Sequence, residues 1–237
     1  MKTTEPDIIQ MAPEGQKYLQ PSELCDFDRH SEIGAKARTL TEDCHGQEQK
    51  FQRVFDFVRE LPYGLEDWDV TASETLAKRW GMCSGKTNLL VAMLRSLGIP
   101  ARYRVYRIKS EGSLWQWLTQ DEELRLRMGA PPVQQDHVDC EVRLDTWMGC
   151  DPSRDTSFSQ GLDAIGLPLK RKPVVDAMGN VSYLTITSWD DWARERQDRR
   201  RFQEDRSYIF TRANERLRKL RTLVKSRTVQ KVPESGL

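Results

Sequence analysis

Apolar and polar positions along the chain fall into stretches of helical and of strand spacing. Residues 1–20 are polar with prolines and read as a flexible N-terminal arm. EIGAKARTLT (32–41) and HGQEQKFQRVFDFVREL (45–61) predict two helices, the second carrying Phe51, Val54, Phe55 and Val58 on one face. LPYGLEDWDVT (61–71) reads as a connecting loop and ASETLAKRW (72–80) as a short helix. In KTNLLVAMLRSLGIPAR (86–102), Leu89, Leu90, Met93, Leu94 and Leu97 make one apolar stripe at helical spacing. Gly98 and Pro100 stop that helix, and ARYRVYRI (101–108) is rich in strand formers.

Residues 109–135 interrupt this rhythm: SLWQWLTQDEELRLRM (113–128) predicts one helix and GAPP (129–132) a loop. DHVDCEVRL (136–144) then alternates as a half-buried strand does. Val138, Cys140, Val142 and Leu144 share one face, and His137, Asp139, Glu141 and Arg143 the other, polar one. A turn near Asp145 and Thr146 returns the chain through WMGCD (147–151) as a second strand. PVVDAMGNVSYLTI (173–186) is strand-like, with a hairpin turn at Gly179-Asn180. The last fifty or so residues, opening with SWDDWARERQDRRRF (188–202), read as helical. The sum is an α+β chain.

Length and charge narrow the classes. A chain of 237 residues fits one domain with additions, or two small ones. Its net charge of +1 gives no reason to expect a polyanion as the partner of the whole chain. No apolar run approaches the roughly 18 to 20 residues of a membrane span, so no membrane is expected. MKTTEPDIIQMAPEG lacks a basic head followed by an apolar stretch, which favours the cytoplasm. The five cysteines form no C-x-x-C pair, and Cys25 with His30 or Cys44 with His45 lack a second pair to complete a metal site. Neither metal nor cofactor is expected. Between Arg194 and Arg227 basic residues outnumber acids, with Phe202, Tyr208, Ile209, Phe210 and Leu217 interspersed. That segment reads as a helix docked by one face, or as a surface for RNA or an acidic partner.

The chemistry centres on RWGMCSGKT (79–87). Its ending resembles a phosphate loop, but G-x-x-x-x-G-K-[ST] needs a glycine where Trp80 stands, and a helix precedes it where a P-loop follows a strand. Cys83 instead falls at the first turn of the 86–97 helix, where unpaired N–H groups and the dipole favour a thiolate. The alternative is a small buried cysteine. Of three histidines, His137 lies on the polar face of its strand, and a hairpin near 144–146 brings Asp151 level with it. Thiol, base and orienting carboxylate are the three parts of nucleophilic catalysis.

These residues resemble the transglutaminase-like superfamily. Its pattern appears in Gly81-Met82-Cys83, LGIPAR (97–102), His137 with Glu141 and Val142, and Trp147 with Asp151-Pro152. The resemblance covers about 72–152 and extends to the helices from Ser31. It implies a papain-like α+β fold, with Cys83 as nucleophile, His137 as general base and acid, and Asp151 as orienting carboxylate. Two departures are that Asp139 stands where the family has an aromatic residue, and that the interval from Cys83 to His137 is long because of the 109–135 insertion. The insertion is expected to cap the cleft of a catalytic domain spanning 21–187, followed by a basic helical extension over 188–237. By the same resemblance a second oxyanion donor could be Trp68 or Tyr63, against ordinary aromatic packing of both. Substrate-pocket candidates are Trp80, Lys86, Trp115, Trp117 and Asp139; for Lys86 the plain alternative is a solvated lysine. The expected activity is attack on an amide or thioester carbonyl, with water or an amine as acceptor. The competing expectations are an inactive binding module and an adaptor acting through its C-terminal helix.

Overall fold

The computed structural model describes residues 13–109, 112–130, 134–167, 172–197 and 206–229. Its helices are α1 (Pro13–Gln16), α2 (Ser31–Leu40), α3 (Gln47–Arg59), α4 (Ala72–Lys78), α5 (Cys83–Ser96), α6 (Ser113–Leu118), α7 (Glu122–Met128), α8 (Thr156–Ala164), α9 (Asp190–Gln197) and α10 (Arg206–Val229). The strands are β1 (Ala101–Lys109), β2 (Gln134–Arg143), β3 (Trp147–Cys150), β4 (Lys172–Pro173) and β5 (Leu184–Ile186).

Helix α5 is the axis. A one-sided stripe was the expectation, yet every residue from Cys83 to Arg95 is buried, because α2, α3 and α4 cover one side and the sheet the other. Its polar side chains must therefore bond inside the protein. Asn88 Nδ2 donates to the carbonyls of Leu24 at 2.7 Å and Val70 at 3.2 Å, and its Oδ1 accepts from Tyr103 Oη at 2.6 Å. Arg95 donates to the carbonyls of Ala101, Gln20 and Thr187.

Strand β1 is central in the sheet. It runs antiparallel to β2, with Tyr103 opposite Cys140 and Tyr106 opposite His137, while β4 and β5 pair with it on its other side. Strand β3 pairs with β2, Cys150 facing Cys140. The Tyr103–Asn88 bond marks the α5 side of the sheet, which also takes Val105, Val138, Cys140 and Val142. The opposite face was expected to be exposed, but its centre is not: His137 is 2% and Asp139 1% exposed. The Tyr183 ring lies 4.6 Å from the Arg104 guanidinium and edge-on to Tyr106, covering that centre.

A second core lies outside the sheet. Leu118 of α6, Leu124 and Met128 of α7, and Phe158 and Leu162 of α8 pack against Ile209, Ala213, Leu217 and Leu220 of α10. The 109–135 insertion and the basic C-terminal helix are thus partners of one another. The boundary expected at 187 runs through packed structure, since Trp189, Trp192 and Ala193 belong to the first core. One helix was expected over 113–128; two form, because the Asp121 side chain accepts the Leu124 N–H and starts a new helix. At the other end, residues 15–20 are docked and not a free arm, with Tyr18 buried edge-on to Trp147. Residues 1–12 of the expected arm, and the 198–205 part of the expected C-terminal helix, lie outside the described residues.

Leu217 is fully buried between α10 and its neighbours. Leu217→Ala should cost about 2–5 kcal/mol in urea denaturation; a loss below ~1 kcal/mol would show that the second core contributes little.

Candidate active site

The first turn of α5 carries Cys83, 6% exposed. Its N-cap, Met82, has no side chain to cap the helix. The carboxylate of Glu66 does so instead: Oε1 accepts the Met82 N–H at 2.8 Å, and Oε2 pairs with Lys78. A carboxylate can enter here because Gly85 leaves room. A Cβ on Gly85 would lie 2.4 Å from Glu66 Oε1 and 2.8 Å from Thr75 Oγ1. Burial raises the Glu66 carboxyl above the usual range, with Lys78 and the Met82 N–H opposing. The G of GKT thus has a structural reason of its own.

Lys86, one turn beyond Met82, is fully buried, which corrects the solvated lysine of the sequence reading. Its Nζ donates to the carbonyls of Arg59 at 2.8 Å, Leu61 at 2.6 Å and Ser153 at 3.4 Å. Those three acceptors match the three N–H donors of an ammonium, so Lys86 has no donor to offer a substrate. Burial pulls the group from 10.5 down to about 7, against the raising fields of Asp155 and Asp151.

Two bonds fix this turn relative to the sheet. Thr87 Oγ1 donates to the carbonyl of Val138, next to His137, at 3.4 Å, and Lys86 reaches Ser153, two residues past Asp151. Cys83 lies four residues before Thr87, about 6 Å along the helix. Helix α5 runs parallel to β2, so the same distance covers about two strand residues and sets Cys83 at the level of Asp136 and His137. On β2, His137 Nε2 lies 3.1 Å from Asp151 Oδ2. Asp151 Oδ1 accepts the Ser153 N–H at 2.9 Å, which orients the carboxylate. The Tyr106 ring meets His137 edge-on at 5.2 Å. His137 and Asp151 are thus brought together on the sheet face turned away from α5, at the strand level that Cys83 reaches on its helix.

The other candidates have contacts of their own. Asp139, expected at the pocket rim, is buried and held by the Arg104 fork, Nε and Nη2 each 2.8 Å from one carboxylate oxygen. That pair holds Arg104 still further above its ordinary value. Trp68 packs against Trp192 and Trp189, and Tyr63 stacks on Phe158 at 5.3 Å. Trp80 lies against Gly64 and the Lys78 ammonium. Trp115 Nε1 donates to Gly129 O, closing the α6–α7 hairpin, and Trp117 Nε1 donates to Arg216 O on α10.

A clamp absent from the sequence reading ties the segment that precedes α5 to α8 and α10. Tyr63 bridges Gly81, its N–H donates to Asp155 Oδ2 at 2.7 Å, and Arg221 of α10 reaches both Asp155 Oδ2 and the Tyr63 carbonyl at 2.7 Å. Burial would raise the Asp155 carboxyl, but the Arg221 guanidinium, the Ser157 hydroxyl and the Tyr63 N–H outweigh it and hold it at about 2. Neither this clamp nor Glu66 has a local sequence motif. The one available signal was the pair Gly81 and Gly85, whose missing side chains leave room for Glu66.

Comparison with known proteins follows the same residues. The family model described as the transglutaminase-like superfamily matches residues 34–152, from α2 to the residue after Asp151. No curated protein matches the chain. Among solved structures, one from Cytophaga hutchinsonii, provisionally described as a cysteine protease, is 20% identical over 76% of this chain and 56% of its own, with a TM-score of 0.46. Another, provisionally described as a protease from Parabacteroides distasonis, is 17% identical over 67% of this chain and 30% of its own, with a TM-score of 0.37. The chain therefore spans less than two thirds of the length of either.

Two outcomes are expected at the α5 turn. Gly85→Ala should destabilise the fold, by about 1–3 kcal/mol as for other overpacked sites; an unchanged urea midpoint would show that Glu66 yields freely. The unfolded chain keeps the Lys86 proton to about 10.5 and the folded one releases it near 7, so stability should rise with pH across that interval. Lys86→Met should flatten the rise in urea titrations, and equal slopes in both proteins would refute the assignment.

Proposed function

The chain belongs to the transglutaminase-like superfamily, and on that premise we propose that it is a thiol enzyme acting on amide or thioester carbonyls. One observation supports the reading, the 3.1 Å contact of His137 Nε2 with Asp151 Oδ2, in a chain whose helix α5 opens with Cys83. With Nε2–H directed at the carboxylate, Nδ1 is the ring nitrogen that takes the Cys83 proton. The thiolate attacks the carbonyl carbon. The negative oxygen that forms is met by the Cys83 backbone N–H, the next along the helix end after the Met82 N–H that Glu66 occupies. As the C–N or C–S bond breaks, His137 returns the proton to the departing amine or thiol, leaving an acyl thioester on Cys83. Water or an amine, deprotonated by His137, then attacks the thioester, releasing an acid or a new amide and restoring the thiol. Asp151 keeps the ring in its tautomer and steadies the imidazolium.

The acyl donor is a peptide amide or a thioester, and the acceptor is water or an amine. An adaptor role for α10 has less support, because Arg212, Arg216 and Arg221 direct their donors to acceptors within the fold.

Cys83 should react with iodoacetamide at pH 6–7 faster than a model thiol, and His137→Ala should remove the excess. Asp151→Asn should lower turnover by about 10²–10⁴-fold, as for loss of acid–base function. Intact-mass measurement with peptide amides, thioesters and amines should reveal an adduct absent from Cys83→Ala. If Cys83 alkylates no faster than the model thiol and forms no adduct, the chain is an inactive binding module of the family.

A further inference from the structure

Cys140 and Cys150 face one another directly across the β2–β3 pairing. Directly opposed residues of an antiparallel pair have Cα atoms about 4.5–5.5 Å apart, within the roughly 4.4–6.8 Å that a disulfide spans. Both side chains leave the sheet towards α5: Cys140 is buried in the first core, and Cys150 packs against that core half-buried. Neither takes part in the reaction proposed above, and both are free thiols here.

We propose that Cys140 and Cys150 form a reversible thiol–disulfide site, closed by low-molecular-weight disulfides. The half-buried Cys150 is the sulfur that such a reagent can reach. Its thiolate attacks one sulfur of the reagent, the reagent's S–S bond breaks, and one small thiol departs after taking up a proton. Cys140 then loses its proton and attacks the Cys150 sulfur of this mixed disulfide, expelling the second small thiol. Two protein thiols and one small disulfide become one protein disulfide and two small thiols, so atoms and electrons balance. Burial raises the Cys140 thiol well above its ordinary range and lowers its thiolate fraction, which the proximity of the intramolecular second step offsets.

The position gives the bond a consequence. Strand β3 has four residues, and Asp151 follows Cys150 directly. A link between Cys140 and Cys150 pins the β2–β3 register immediately before that carboxylate and so keeps it level with His137. The site stands whatever Cys83 does.

The test uses the full chain carrying Cys83→Ser, which removes the thiol most open to side reaction. After incubation with glutathione disulfide, unfolding and alkylation, two fewer cysteines should be alkylated and no glutathione should remain on the protein. Trypsin cuts after Arg143, between the two cysteines, so a linked pair of peptides is diagnostic, and dithiothreitol should release it. Cys150→Ser should give no link and leave Cys140 alkylated. Should that variant fail to fold, the peptide map of the Cys83→Ser protein decides alone. Glutathione retained on Cys150 with Cys140 still alkylated, a link from Cys150 to any other cysteine, or no reaction at all would overturn the proposal.

Discussion

Burying a helix on every side forces its polar side chains to find partners inside the protein, and in α5 that constraint shapes everything around Cys83. Lys86, Thr87, Asn88 and Arg95 all donate to main-chain carbonyls of surrounding segments. Each such bond replaces a desolvation penalty of about 1–3 kcal/mol that an orphaned donor would impose. Together they fasten segment 59–61, the 151–153 corner, strand β2 and the start of β1 to one rod. Cys83 sits at the end of that rod, so its surroundings are held by hydrogen bonds of fixed direction and not by apolar contact alone.

The same end of the rod shows two demands in competition. An unpaired helix N-terminus favours negative charge, and Glu66 supplies one before any thiolate does. Lys78 offsets it from outside, and the buried amine of Lys86 lies one turn along. The field at Cys83 is therefore the balance of a carboxylate, two amines and the helix dipole. On the far side of the sheet, Arg104 and Asp139 neutralise one another two residues from His137, which leaves Asp151 as the carboxylate in contact with the imidazole.

What the sequence disclosed and what it hid follow from the range of the interactions. The α5–β1 unit and the β2–β3 hairpin were legible because a helical stripe, a Gly-Pro stop and strict alternation are all local. Register in that hairpin then brought Asp151 to His137. The burial of Lys86 was hidden because its acceptors lie 25 to 67 residues away. Glu66 read as loop for the same reason, and Asp139 as an exposed rim charge because its partner Arg104 is on another strand. The helix break at Asp121 was missed although an Asp followed three residues later by an apolar position is a capping signal, because Leu-rich periodicity across 114–128 masked it. That α6 and α7 would meet α10 has no local mark at all.

Arg221 grips both Asp155 and the Tyr63 carbonyl, although it stands 158 residues along the chain from the latter. During synthesis from the N-terminus, α5, the sheet and Asp151 all leave the ribosome before this arginine does. The clamp on Tyr63 and Asp155 can close only once α10 has emerged. A nascent chain therefore carries its thiol in an unfinished setting, and the order of translation holds back the Arg221 contacts until α10 has been made.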